Sequence, residues 1–356
     1  MGSSPITRFF VTSYQDGNLD PRCRATGTMG LYLNVHATDT ILSEHSMRVA
    51  VVQGEIAPDL AAGLARTAEL TREAARGGAV VVAFPESWLP GYPAWLDVCR
   101  DVALWDSDAV KGVFARMAAN AVVVDGHSGA AIAAAARDNG VTIVVGVTER
   151  IECGRGSGTL FNALLTYGPD GALLNHHRKL IPTYTERLVW GNGDAEGLKA
   201  VPLPNTSGRI GALICWEHWM PLARQAMHES GEDVHVAMWP SANEMHQLAS
   251  RHYAFEGRCF VLVAGSLMRA AALPAELEPH PERVASPAQW VLRGGSAIIG
   301  PTGQYIVEPL YDEARILFAD LDLSVRRAEA MTLDVTGHYS RPDLFSFSVD
   351  RQRRPS

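Results

Sequence analysis

Several features that would place this chain outside the soluble enzymes are missing. No apolar run approaches the ~20 residues a membrane-spanning helix needs, and the N-terminus lacks the basic start, apolar core and small-residue cleavage site of a signal peptide. Positive charge is not in excess. With 31 Lys and Arg against 39 Asp and Glu, the net charge of -8 argues against nucleic acid as a partner. The one basic cluster, Arg351-Gln352-Arg353-Arg354, is expected to be a solvated tail over residues 351–356. Cysteine is scarce and odd in number: Cys23, Cys99, Cys153, Cys215 and Cys259 form no CxxC pair. That excludes a disulfide scaffold and predicts free thiols in a cytoplasmic protein. Internal repeats and low-complexity linkers are also absent.

What is present alternates between strand and helix. Residues 1–46 mix Gly, Ser, Thr, Asp and Arg without periodicity and are expected to be a loosely packed or disordered extension. From Met47, strands are predicted over 48–53, 79–84, 141–147, 210–215, 234–239, 259–264 and 316–323. Helices are predicted over 61–75, 130–137, 221–229, 245–257 and 325–332. Hairpins are predicted around Pro169-Asp170-Gly171 and Pro301-Thr302-Gly303. Crossover units mixed with hairpins imply mixed sheets covered by helices, in one domain over residues 47–350.

Three chemically active residues stand where predicted strands end: Glu86 after Val80–Pro85, Lys179 after Leu173–Arg178, and Cys215 after Ile210–Ile214. A cysteine is a nucleophile as thiolate, and an ordinary thiol pKa of about 8.5 leaves little of it at neutral pH. Glu86 can act as its base, and Lys179 can hold negative charge developing on a substrate. The backbone N–H of Trp216, just past the thiol, can donate to the same anion. Taken singly, each residue also has an ordinary structural explanation. The histidines, among them His176, His177, His218, His246 and His252, show no metal-binding spacing and are expected to pack as polar side chains. Trp88, Tyr92, Trp95, Tyr184, Trp190, Trp219 and Trp239 lie close to the three segments and are expected to wall a pocket for a substrate with an aryl or bulky apolar group.

The flanks of these residues carry a resemblance. Phe84-Pro85-Glu86, His177-Arg178-Lys179-Leu180 and Cys215-Trp216-Glu217 look like the three signature segments of the nitrilase superfamily, carbon–nitrogen hydrolases with a Glu-Lys-Cys triad. Pro90-Gly91-Tyr92-Pro93, Pro182-Thr183-Tyr184-Thr185-Glu186-Arg187, Trp190-Gly191-Asn192-Gly193-Asp194, His218-Trp219-Met220-Pro221-Leu222 and Gly337–Asp343 point to its nitrilase branch, and to bacterial arylacetonitrile and aromatic nitrilases within it. The likeness runs from about Met47 to Phe347. Residues 1–46 have no counterpart in it, and many nitrilases carry a longer tail after the segment at Phe347.

The resemblance implies a four-layer αββα sandwich with two mixed β-sheets, and a homodimer extending to spiral homo-oligomers. It implies a fourth active residue, Glu186, positioning Lys179 and an attacking water. It further implies hydrolysis of an aryl or arylaliphatic nitrile to acid and ammonia through a thioimidate and a thioester on Cys215, with no metal or organic cofactor. The rival readings are an amidase or carbamoyl-amide hydrolase with the same triad, a cyanide-hydrating enzyme, and a catalytically silent scaffold on the same fold.

Overall fold

A computed structural model describes residues 46–354; the extension expected over residues 1–46 lies outside them except for Ser46. Strand β1 (Ser46–Gln53) leads to helix α1 (Leu60–Arg76). That helix begins where Asp59 accepts the Ala62 amide, a side-chain cap for an otherwise orphaned donor. Strand β2 (Val81–Ala83), the short helix α2 (Trp95–Val98) and helices α3 (Asp108–Ala119) and α4 (His127–Asn139) follow. Strands β3 (Thr142–Arg150), β4 (Leu160–Tyr167) and β5 (Leu173–Arg178) complete the first half. The Pro-Asp-Gly turn joins β4 to β5 as expected.

The second half holds β6 (Val201–Pro202), β7 (Arg209–Ile214), α5 (Pro221–Glu229), β8 (Val234–Trp239), α6 (Glu244–Gly257) and β9 (Phe260–Gly265). It continues through β10 (Leu267–Arg269), β11 (Trp290–Ile299), β12 (Tyr305–Tyr311), β13 (Arg315–Asp322) and α7 (Ser324–Glu329). One sheet runs β13-β1-β2-β3-β4-β5 and the other β10-β11-β9-β8-β7-β6, with β12 on β11. Each has three parallel strands at its centre, β1-β2-β3 and β7-β8-β9, with antiparallel strands on both sides. Val49, Val51, Ala83, Val144 and Leu164 of the first sheet share one core with Ala212, Ile214, Val236 and Val263 of the second. The outer face of the first sheet is packed by α1 and α4 around Val52, Phe84, Ile132 and Val145. The expected two-sheet αββα sandwich is what the chain forms.

Two local differences from the sequence expectation matter. Helix α3 was not anticipated, although Val110, Val113, Phe114 and Met117 repeat at helical spacing; their apolar stripe packs on a satellite cluster with Tyr92 and Trp95. The C-terminal tail is not merely solvated. Arg353 donates to Asp194 at 3.1 Å and to the His176 carbonyl, so at least this cation has a docking site on the domain.

Strand direction places the reactive residues. β5 is antiparallel to β4 and β4 to β3, so β5 runs parallel to β2 and β3, and the segments following β2 and β5 leave the first sheet at the same end. The first sheet is then tied to β7 of the second by one buried carboxylate. Glu217 accepts the Leu180 amide at 2.8 Å, the Ile214 amide at 2.8 Å and a bond from His177 Nε2 at 2.9 Å. Burial alone would raise the Glu217 pKa, but His177 and the two amides outweigh it and hold the carboxyl below its usual range. Glu217→Ala strands two buried amides and His177 without their acceptor. Urea unfolding should show a loss of roughly 3–5 kcal/mol, the cost of breaking a buried charged contact; a loss below about 1 kcal/mol would remove this clamp from the account.

Candidate active site

Glu86, Lys179, Glu186 and Cys215 converge in the structure. Their side chains are almost wholly buried, with only Cys215 reaching as much as 4% exposure. Lys179 Nζ donates to Glu86 Oε1 at 3.0 Å and to Glu186 Oε2 at 2.7 Å. Glu86, Glu186 and the Cys215 sulfur offer atoms within 4.8 Å of one another, a set of donors that could suit a metal ion; the cation seated between the two carboxylates is the Lys179 ammonium.

Each residue arrives there for a local reason. Lys179 continues β5, its amide held by the Asn162 carbonyl of β4. Glu186 sits in a 3₁₀ turn, Tyr184–Leu188, where its Oε2 accepts the Thr183 amide at 2.7 Å while Oε1 accepts the Tyr92 hydroxyl at 2.9 Å. Glu86 follows β2 by three residues, and Asn162 Nδ2 donates to its Oε1 at 2.6 Å. Its other oxygen, Oε2, is buried and accepts no hydrogen bond among the described residues, which leaves one lone pair free for a proton. Gly146 on β3 makes this approach feasible: a Cβ there would lie 2.3 Å from the Pro85 carbonyl oxygen and 2.7 Å from Glu86 Cα.

Cys215 was expected to end its strand. Instead β7 stops at Ile214, and Cys215 turns into the left-handed region at φ 53° to open a 3₁₀ turn, Cys215–Trp219. Eight non-glycine residues with positive φ occur among the described residues, and three of them, Ser87, Tyr184 and Cys215, adjoin or belong to this site. Conformations that cost roughly 1–3 kcal/mol each collect where surrounding structure enforces them.

The charges are mutually dependent. Burial, with Glu186 alongside, raises Glu86 to about 7 against the pull of Lys179 and Asn162. Burial pushes the Cys215 thiol well above its ordinary value, Glu86 adds to that, and Lys179 and the Trp216 N–H oppose it. Burial would lower Lys179, but the surrounding Cys215, Glu86 and Glu186 charges reverse this and keep it an ammonium. At neutral pH the sulfur therefore keeps its proton, and Glu86 is the group poised to take it.

A cavity of about 530 Å³ opens onto Cys215. Tyr92, Tyr184 and Trp216 line it, as do Asp97, Ser241, Asn243, His246, Arg283, Arg293 and Tyr311. The aromatic expectation needs correction here. Trp190 lies behind Tyr92, 6.0 Å between ring centroids, and does not reach the cavity wall. Trp239 is fully buried, its Nε1 donating to Ser250 and its ring stacked between His218 and His246. Trp88 donates to Thr67 in the core, and Trp95 belongs to the α3 cluster. Trp219 lies with Ile181 and Met220 on an adjoining surface groove that shares Thr183, Tyr184 and Trp216 with the cavity but does not reach Cys215. Of the histidines, His177 and His218 are buried in polar contacts, whereas His246 faces the cavity. Sequence reasoning assigned no role to Asn162 or Glu217, and expected His246 only to pack as a polar side chain. A Glu directly after the reactive Cys-Trp pair was a usable signal for the second; the others depend on distant segments meeting.

The fold and the site together define the class. Similar solved structures include a carbon–nitrogen hydrolase superfamily protein of Xanthomonas campestris (TM-score 0.60, 22% identity, 86% of this chain and 100% of that one) and the NitFhit protein of C. elegans (TM-score 0.62, 17% identity, 85% and 66%). The chain belongs to the carbon-nitrogen hydrolase family, whose model matches residues 48–330. It is 41% identical over 288 residues to "Nitrilase 2" of an unknown prokaryotic organism, covering 80% of this chain and 86% of that one. It is 38% identical over 309 residues to an aliphatic nitrilase of Sinorhizobium fredii (86% and 96%) and 37% identical over 313 residues to a bifunctional nitrilase/nitrile hydratase of Lupinus angustifolius (85% and 86%).

Gly146→Ala should push the Glu86 segment off Cys215 without disturbing either sheet. Far-UV circular dichroism should be unchanged while alkylation of Cys215 at pH 8, followed by peptide mass spectrometry, slows about tenfold or more. Unchanged alkylation would mean that Glu86 does not depend on this contact.

Proposed function

We propose that the protein is a nitrilase, converting an organic nitrile to the carboxylic acid and ammonia through a covalent intermediate on Cys215. The observation that carries this reading is the buried Lys179 ammonium held between Glu86 and Glu186 beside the thiol, with Glu86 Oε2 left free. Glu86 takes the thiol proton as sulfur attacks the nitrile carbon. The proton passes to nitrogen, and Lys179 with the Trp216 N–H steadies the charge that builds there. Water, giving its proton to Glu86, adds to the thioimidate. The nitrogen takes that proton and the one on the newly added hydroxyl, ammonia leaves as the carbonyl forms, and a thioester remains. A second water, deprotonated by Glu86 and positioned with Glu186, releases the acid and restores the thiol. If the tetrahedral intermediate expels sulfur before ammonia, the product is the amide, and a bifunctional nitrilase/nitrile hydratase among the relatives keeps this branch in view.

The substrate is assigned to the aryl and arylaliphatic nitriles. Tyr92, Tyr184 and Trp216 at the cavity support this, although an aliphatic nitrilase is among the relatives. Assembly into a homodimer and longer spirals is part of the same reading. Leu222 on α5 and Met245, Leu248 and Phe255 on α6 are exposed apolar side chains on the outside of the second sheet, suited to a second copy. Cytoplasmic residence fits the free thiols Cys99, Cys153, Cys215 and Cys259; among the described residues no helix is long and apolar enough to cross a membrane.

Incubation with phenylacetonitrile, an aliphatic dinitrile, cyanide and the matching amides, with acid and ammonia quantified, should give most turnover on phenylacetonitrile. Ammonia from amides but none from nitriles would overturn the reading in favour of an amidase. Because Glu86 must be ionised to accept the proton, kcat/KM should fall as pH drops below about 7. Asn162→Ala removes a bond that favours the carboxylate, so this acid limb should move to higher pH; a limb that stays in place would separate Glu86 from the rate.

A further inference from the structure

Behind the nucleophile, between the second sheet and helices α5 and α6, lies a buried row of ionisable groups that none of these steps employs. His218 Nδ1 is 2.7 Å from the Cys215 carbonyl oxygen, His218 Nε2 is 3.0 Å from His235 Nε2, and His235 Nδ1 is 2.8 Å from Glu232 Oε2. Glu232 also accepts the Tyr253 hydroxyl and lies 3.4 Å from His228, which reaches Glu256 and, through it, Arg224. The fold makes room for this carboxylate. A Cβ on Gly211 would stand 2.1 Å from Glu232 Oε2, and the His235 ring stacks on Tyr253 at 3.9 Å.

Partner chemistry assigns the protons. A carbonyl oxygen only accepts, so His218 Nδ1 carries hydrogen. Burial, aided by His235, lowers His218 to about 3, so its ring is neutral and Nε2 is a bare acceptor. His235 Nε2 must then donate to it. Although burial opposes ionisation, His235 and His228 hold the Glu232 carboxyl well below its usual range, so it too only accepts. His235 Nε2 therefore donates to His218, and its Nδ1 faces the Glu232 carboxylate.

The carbonyl at the head of this row belongs to the same peptide bond as the Trp216 N–H. We propose that His218, backed by the His235–Glu232 pair, is a positioning residue that grips and polarises the Cys215–Trp216 peptide, so that its N–H is aimed at the sulfur and at the anion formed there. Hydrogen bonds in a chain strengthen one another, and a bond to this carbonyl also stabilises the left-handed turn at Cys215. The inference rests on Cys215 being the nucleophile, yet it can be tested without any nitrile.

Iodoacetamide alkylation of Cys215, timed by peptide mass spectrometry, reads how well its thiolate is stabilised. His218→Leu removes the donor and should slow alkylation about tenfold or more, but by less than the 10²–10³ that loss of a whole oxyanion donor costs. His218→Asn keeps an N–H near the Nδ1 position and should stay within about threefold of the wild type, as should its kcat. If the Leu variant does not fold, the double variant His235→Phe with Glu232→Gln, which keeps the ring stack and removes the hydrogen bonds that back His218, should slow alkylation about threefold or more. Equal slowing in the Leu and Asn variants would reduce His218 to a packing role and overturn the proposal. So would wild-type alkylation in the Leu variant or, where that does not fold, in the double variant. If the Leu and Asn variants split as expected but the wild-type protein turns over no nitrile, the nitrilase reading falls and the positioning role of His218 stands.

Discussion

The contact on which the site depends is the Lys179 ammonium buried between two carboxylates. An isolated ammonium in a protein interior is prohibitively costly, and two adjacent carboxylates repel. Together they form a cluster in which each charge is tolerated because of the others. Its surplus negative charge is expressed in Glu86, which burial and Glu186 bring to about 7. A carboxylate at that level can accept a proton from a reluctant thiol and return it within one catalytic cycle. In the proposed cycle the net charge need not change: as Glu86 becomes neutral, sulfur becomes negative, and the charge would then move to the substrate nitrogen.

The sandwich exists around this cluster as a set of geometric constraints. Glu86 and Lys179 leave the same end of the first sheet, Cys215 leaves the second, and Glu217 ties the latter two strand ends together with bonds of 2.8 Å. Gly146 gives the Glu86 segment its approach, and the turn at Cys215 presents the sulfur together with the Trp216 N–H. Such strain is sustainable because Ile214, Ala212 and the rest of β7 are fixed in the shared core.

Much of this was legible in the sequence because it is local. Apolar runs that stop at Glu86 and Cys215, and the strand of a predicted hairpin that ends before Lys179, mark strand ends, and the alternation of strands, helices and hairpins marks mixed sheets. Glu186 was accessible through the resemblance of its flanks. The cavity wall was not. Trp88, Trp190 and Trp239 have the same chemistry as Trp216 and lie as close to the motifs, but which ring meets solvent is decided by packing between segments far apart in sequence. Asn162 reaches Glu86 from 76 residues away, and Arg293 and Tyr311 reach the cavity from the far end of the chain. Helix α3 was missed for a different reason: its stripe is readable, but its partner surface, a satellite cluster outside both sheets, is not.

The most direct test of the central claim is acid quenching of the protein during turnover of phenylacetonitrile, followed by mass spectrometry of the peptide containing Cys215. The account predicts an added mass on Cys215 corresponding to the thioimidate or acyl group, and no turnover by Cys215→Ala. Acid and ammonia released by Cys215→Ala at the wild-type rate would contradict it.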